Sequence, residues 1–184
     1  AIKCWGFNDP GSLAPGMLGD GTVVHKRCAP NLDVVGITTA TSVDSGYDHV
    51  CALLDSGAVK CWGKNNVGQL GGGTDVAYSN TPVDVVGIEN ATSVSAGIGN
   101  SGVTMPDGSI KMWGQNLGGG TRDVSAVPVD VLGIINATSL VLGKGWNSCV
   151  LLPGHDAIKC RGDNPDRRLG DGTTEDRLAP VSVR

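Results

Sequence analysis

Aromatic residues are scarce in this 184-residue chain, at 4%. A fold of helices with broad apolar faces would carry more large side chains, and the 29 glycines point instead to short strands joined by tight turns. No apolar run approaches the roughly 18 to 20 residues of a bilayer-spanning helix, which argues against membrane insertion by that route. The opening Ala1-Ile2-Lys3-Cys4-Trp5 has no h-region of a signal peptide. Basic residues are few as well. A net charge of -4, with Lys26-Arg27 and Arg167-Arg168 as isolated pairs, argues against a nucleic-acid surface.

The motifs of common chemistries are missing too. There is no Cys-x2-Cys and no histidine at ligand spacing, which argues against zinc. There is no Gly-x-Ser-x-Gly, phosphate loop or two-histidine zinc motif. His25 and His155 fall in loops or turns with no nucleophile near them in sequence. The acidic stretch Asp171–Asp176 offers oxygen ligands without the rhythm of a calcium site, and reads as a solvated turn. The expectation is therefore no cofactor, no metal and no catalytic residue, with the chain leaning away from an enzyme. A carboxylate pair for glycoside hydrolysis assembles only in three dimensions and stays open.

What is present is a repeat. Cys4-Trp5-Gly6 recurs as Cys61-Trp62-Gly63, Met112-Trp113-Gly114 and Cys160-Arg161-Gly162. Each is followed by a Leu-Gly-x-Gly-Thr segment, beginning at Leu18, Leu70, Leu117 and Leu169, and then by a proline, Pro30, Pro82, Pro128 and Pro180. Their recurrence in every unit marks the glycine-rich segments as turns, not phosphate cradles. Ala40-Thr41-Ser42, Ala91-Thr92-Ser93 and Ala137-Thr138-Ser139 open the next units. Equivalent residues are separated by 46 (Pro82 to Pro128) to 57 (Cys4 to Cys61) positions. Each unit reads as four short strands, in the second roughly 41–45, 49–54, 59–62 and 83–86, bounded by Gly, Asp, Asn and Pro. A period near 50 with four strands per unit predicts an all-β chain of propeller blades.

The string CALLDSGAVKCWGKNNVGQLGGGT, with TPVDVVGI after it, resembles the regulator-of-chromosome-condensation repeats, in the cysteine-bearing form common in bacterial exported proteins. The resemblance implies a propeller that closes with about seven blades and meets ligands through the loops of one face. Related folds serve as exchange factors for small GTPases, as light sensors and as secreted inhibitors of beta-lactamases, so fold alone does not choose a function.

The units run as a partial blade over 1–36 and blades over 37–88, 89–134 and 135–184, a single domain of about three and a half blades, half of a seven-bladed ring. Two readings are open: a homodimer completes the ring, or the chain is a structural fragment of a longer propeller.

The cysteines obey the repeat. Cys51 and Cys61 flank one hairpin, as do Cys149 and Cys160, while the third unit has Gly102 and Met112 at those two positions. Joint absence predicts two hairpin disulfides, and with them an oxidising compartment: secreted, cell-surface or periplasmic. Cys4 either bridges Cys28 or is left over from a missing half-blade. Trp5, Trp62 and Trp113 share one repeat position and read as blade-packing residues. His49, with Asn100 and Asn147 at its place in other units, reads as a structural hydrogen-bonding residue. The sequons Asn90-Ala91-Thr92 and Asn136-Ala137-Thr138 recur at one repeat position, which accounts for them without glycosylation.

The candidate binding face comprises the loops between first and second strands, with Tyr47, Asp48, Trp146 and Asn147. To these the resemblance adds the loops after the Trp-Gly step, with Phe7, Asn65, Asn66, Gln115 and Asn116. Trp146 lies off the repeat in a Gly-flanked loop. It is either a binding hot spot or a filler for the gap left by Arg161. The functional expectation is an exported binding module with a protein partner or a second copy of itself; a hydrolase of a polymer or glycan is the alternative.

Overall fold

Runs rich in valine, leucine and cysteine on either side of Asp55-Ser56-Gly57-Ala58 favour an antiparallel hairpin. The computed structural model describes residues 1–6, 8, 16–24, 33–115, 123–154 and 157–184. In it β2 (His49–Leu54) pairs antiparallel with β3 (Val59–Lys64) across that turn, which Gly57 N closes by donating to Leu54 O at 3.0 Å. β1 (Ala40–Ser45) lines the free edge of β2, and β4 (Tyr78–Asp84) that of β3. The plan repeats in β5 (Ser93–Ala96), β6 (Asn100–Thr104), β7 (Ile110–Gln115) and β8 (Val124–Asp130). It repeats again in β9 (Ser139–Leu142), β10 (Asn147–Leu151), β11 (Ile158–Gly162) and β12 (Arg177–Ser182). The protein is thus all-β, with three four-stranded antiparallel sheets and no helix among the described residues. The first unit shows a bridge between Lys3 and Asp33, beside which Val34 N donates to Ile2 O at 2.9 Å.

The fourth strand lies earlier than the sequence suggests: β4 spans Tyr78–Asp84, where 83–86 is expected. Proline reads as the boundary before the strand, yet Pro82, Pro128 and Pro180 all lie within it. The outermost strand has a free edge, so the missing N–H is tolerated. Pairing of third and fourth strands also shifts register at each Trp-Gly or Arg-Gly step, between Cys61 and Gly63, Met112 and Gly114, and Cys160 and Gly162. Those glycines have φ of 103°, 88° and 114°, so they form the bulge that bends the strand.

Successive sheets stack face to face. Cys51, Leu53, Val59, Cys61, Val103 and Trp113 share one core cluster, and Ile110, Met112, Leu140, Leu142 and Val150 share the next. The first strands also touch through polar contacts. Asp44 Oδ2 accepts from Ser95 Oγ at 3.1 Å and Ala96 N at 2.9 Å, and Ser95 Oγ accepts from Leu142 N at 3.0 Å.

Trp62 and Trp113 are fully buried. Each indole lies beneath the turn of the unit before it: Trp62 Nε1 donates to Met17 O and Trp113 Nε1 to Gln69 O, both at 2.9 Å. The covering residue is a glycine because a Cβ on Gly19 or Gly71 would come 2.7 Å from the indole nitrogen. Trp5, expected to pack in the same way, is instead 62% exposed. The indole is buried by the preceding unit and not by its own, and no such unit covers Trp5 here. Arg161 is buried in the place of the tryptophan, with Nη2 3.4 Å from Met112 Sδ. Desolvation pushes its pKa down to about 10, which leaves it charged at neutral pH.

Cys51–Cys61 and Cys149–Cys160 are disulfides, each between directly opposed residues with Cα atoms 4.1 Å apart. Gly102 faces Met112 at the same register. Cys4 is free, and Cys28, its candidate partner, lies outside the described residues. The Cys4 side chain lines a groove with Ile2, Trp5, Val43 and Val50, where burial, with Asp20 adding to it, raises its thiol pKa. Both cysteines of the first disulfide are fully buried, whereas Cys149 is half-buried. Replacing Cys51 and Cys61 together by alanine is expected to lower the unfolding free energy by about 3 kcal/mol. Replacing Cys149 and Cys160 should cost less, as urea denaturation of the two double variants would show.

Candidate functional site: a rim of loops on one face

In every sheet the turn between first and second strands and the loop between third and fourth emerge at the same end. Backbone hydrogen bonds tie the two together: Lys64 N to Asp48 O at 2.8 Å, Gln115 N to Gly99 O at 2.9 Å and Asp163 N to Trp146 O at 3.1 Å. Tyr47 N also donates to Gly97 O of the next unit at 3.0 Å. The loop tips of the second and third units are therefore joined, and those of the fourth emerge at the same end as part of one rim.

The expected site residues divide on this rim. Tyr47 is 63% exposed and Asn66 is exposed, though Asn66 Oδ1 accepts from Gln69 Nε2 at 3.3 Å. Gln115 is half-buried over Gly99, and Asn147 is half-buried with Oδ1 against Gly143. Phe7 and Asn116 lie outside the described residues, as do His25 and His155.

Two expectations are corrected. Asn65 does not offer its side chain to a partner. It is 5% exposed, its Nδ2 donates to Thr74 O and Val76 O, and its Oδ1 accepts from Leu70 N at 3.0 Å. One amide holds the long loop closed. Asn8 and Asn164, each fully buried, do the same through Leu18 N and Leu169 N. Asp48 is 8% exposed and paired with Lys64 Nζ at 3.0 Å, so its charge is largely neutralised in place.

His49 is fully buried, and its Nε2 lies 2.7 Å from Ser101 Oγ. Ser101 Oγ donates to Gln69 O at 2.8 Å, the carbonyl that also takes the Trp113 indole. Since that hydroxyl proton is committed, Nε2 carries the hydrogen and donates to the serine. Burial, the largest influence, pushes the His49 pKa down to about 4. The sequence gives no sign of Ser101 and Gln69 in this cross-unit chain, because their partners come from different repeats.

Trp146 is half-buried and stands outside the core cluster of the last two sheets, so Arg161 fills its own place without it. Its φ is 60°, whereas Gly99 at the equivalent step of the third unit is outside the positive-φ region. Arg168, absent from the expected site, donates from Nη1 to Gly145 O at 3.2 Å, placing a guanidinium beside the tryptophan turn, and pairs with Asp166. A sequence signal for it exists: the "RRLGDGT" segment is the only one of the four with arginine before its leucine. Asp171, in the acidic stretch, accepts from Thr173 N and Oγ1 and from Arg177 Nε at 2.8 Å, which holds its carboxyl well below the usual range.

Sheets of four antiparallel strands stacked through their broad faces, with first strands in contact, define an arc of propeller blades. The family description "Regulator of chromosome condensation (RCC1) repeat" matches residues 40–69 and 56–103. Residues 40–103 thus carry repeats of this family. The regulator of chromosome condensation of Drosophila melanogaster is 32% identical over 110 residues, 59% of this chain and 19% of that protein. Human WBSCR16 superposes with a TM-score of 0.78 at 22% identity, covering 99% of this chain and 47% of that one. Yeast RCC1 (Prp20), solved bound to Kap60, gives 0.75 at 20% identity over 92% of this chain and 42% of that one. The chain thus spans less than half the length of each of these relatives.

The burial of His49 gives a pH prediction. Its pKa falls from 6.5 in the unfolded chain to about 4 when folded. Stability from the neutral ring is therefore full above about pH 6.5 and is lost as pH falls toward 4. The loss should amount to about 3 kcal/mol. In His49→Asn, with the residue found at this place in the other units, that share of the acid destabilisation should disappear. Denaturation of both proteins between those pH values would show the difference.

Proposed function

We propose that this chain is an exported protein-interaction module that engages its partner through the loop rim carrying Tyr47, Asn66, Gln115, Trp146 and Asn147. The observation that carries the reading is Trp146. A bulky residue at positive φ costs about 1–3 kcal/mol and persists where surrounding structure or function holds it. No core contact of the last sheets uses this side chain. A rigid aromatic on a turn, flanked by the Arg168 guanidinium and in line with exposed Tyr47, matches the side-chain types that dominate protein-binding hot spots. The two disulfides fit an oxidising compartment and so support export. Among relatives, yeast RCC1 was solved in complex with a protein, Kap60.

A partner on the rim is favoured over ring completion by a second copy. Ring completion would have to bury Trp5 beneath the Arg168–Gly170 turn of another chain.

Trp146→Gly separates function from packing. It removes the indole while placing at this φ the residue that tolerates it best. The expected result is an unfolding midpoint no lower than that of the parent, with partner affinity down by about tenfold or more, on the scale of a hot-spot deletion. Tyr47→Ala should weaken the same partner with less effect. Unchanged affinity of both variants for a partner captured by the parent protein, measured by surface plasmon resonance, would sink the rim as the binding face.

A further inference from the structure

The sequons Asn90-Ala91-Thr92 and Asn136-Ala137-Thr138 lie where the fourth strand of one unit leads into the first strand of the next. Strand order places these connections at the end of the sheets opposite the loop rim. Two demands of the fold explain why the tripeptide recurs. Asn90 and Asn136 have φ of 61° and 58°. Thr92 and Thr138 donate from Oγ1 to Thr104 O at 3.0 Å and to Leu151 O at 3.3 Å.

Neither demand uses the asparagine amide. Glycine adopts such a φ more readily than asparagine, so backbone geometry alone does not call for the side chain. Asn8, Asn65 and Asn164, also at a repeat position, use both amide atoms to hold their loops. Asn90 and Asn136 are exposed instead, and their side-chain amides make no hydrogen bond among the described residues. The backbone beneath them is gripped by the hairpin turn of the preceding unit. Ala91 N donates to Gly57 O and Ala137 N to Gly108 O, both at 2.9 Å. A Cβ on Gly57 would lie 2.3 Å from Asn90 Cα, and one on Gly108 2.4 Å from Asn136 Cα. Beside Asn90 lies an open groove of about 540 Å³ lined by Met105, Pro106, Asp107 and Ser109, so a bulky substituent there has room.

We propose that Asn90 and Asn136 are acceptors of N-linked glycans, which clothe the end of the sheets away from the rim and leave the rim open to a protein partner. The proposal rests on the exported reading above. In the transfer, asparagine Nδ2 forms a bond to C1 of the first sugar of a lipid-diphosphate-linked oligosaccharide. The bond from C1 to the diphosphate oxygen breaks, its electron pair leaving with the lipid diphosphate. The proton lost from Nδ2 passes to a base of the transferase.

The test is secretion of the chain from cultured animal cells behind a supplied leader peptide. The intact mass should exceed that of the polypeptide by two oligosaccharides. Peptide-N-glycosidase, which releases the sugar and leaves aspartate, should convert residues 90 and 136 and no other asparagine. Asn90→Gly and Asn136→Gly, which suit the local φ, should each lose one oligosaccharide and keep the unfolding midpoint of the enzymatically deglycosylated parent. A secreted, disulfide-bonded chain with either asparagine bare would overturn the proposal. Because the leader is supplied, that result would leave the rim reading standing, and Trp146→Gly decides the rim separately.

Discussion

The fold depends on one contact made twice: a tryptophan of one unit slides beneath the glycine turn of the unit before it and donates its indole hydrogen to a backbone carbonyl. Trp62 does so at Met17 and Trp113 at Gln69. The contact buries the largest side chains in the protein completely, satisfies their single polar group, and requires glycine at the point of closest approach. Because donor and acceptor come from neighbouring units, no unit completes its own core. Cohesion in such an array is a nearest-neighbour property, and what a repeat position contributes depends on what stands beside it.

That dependence explains which features are legible in the sequence. Strand number, strand order and both disulfides come from vocabulary repeated within a unit, so they can be read directly; the joint replacement of two cysteines by Gly102 and Met112 is enough to pair the others. Trp5 escapes such reading because it has the same place in its unit as Trp62 but not the same neighbour. Asn65 escapes it for the opposite reason. Its position in the loop after the Trp-Gly step suggests the binding face, yet Asn8, Asn65 and Asn164 recur at that step in unit after unit. Such recurrence is the mark of a structural part. Asp48 gives less warning, since its partner Lys64 lies on a different strand and only the pairing of β2 with β3 brings them together.

The same logic separates scaffold from surface on the loop rim. His49, Ser101 and Gln69 form a buried polar chain that joins two units, although the buried His49 Nδ1 has no hydrogen-bond partner among the described residues. A histidine held neutral by burial and donating through one nitrogen serves that purpose without any proton-transfer role. On the proposed reading, side chains that break the repeat are the ones left for recognition. Tyr47, Trp146 and Arg168 have no counterparts of their type at the matching positions, and none of them contributes to a core cluster.

The distribution of stability points the same way. In the last sheet a charged arginine replaces the buried indole, the disulfide is only partly covered, and Leu151, Ile158 and Leu178 are 44% to 49% exposed. Elements that must adapt to a partner are drawn from the low-stability end of a fold. Trp146 and Arg168 sit on that sheet, whereas Tyr47 sits on the one braced by a fully buried disulfide and by neighbours on both sides. If the rim is the binding face proposed above, it combines a fixed anchor at Tyr47 with an adjustable one at Trp146.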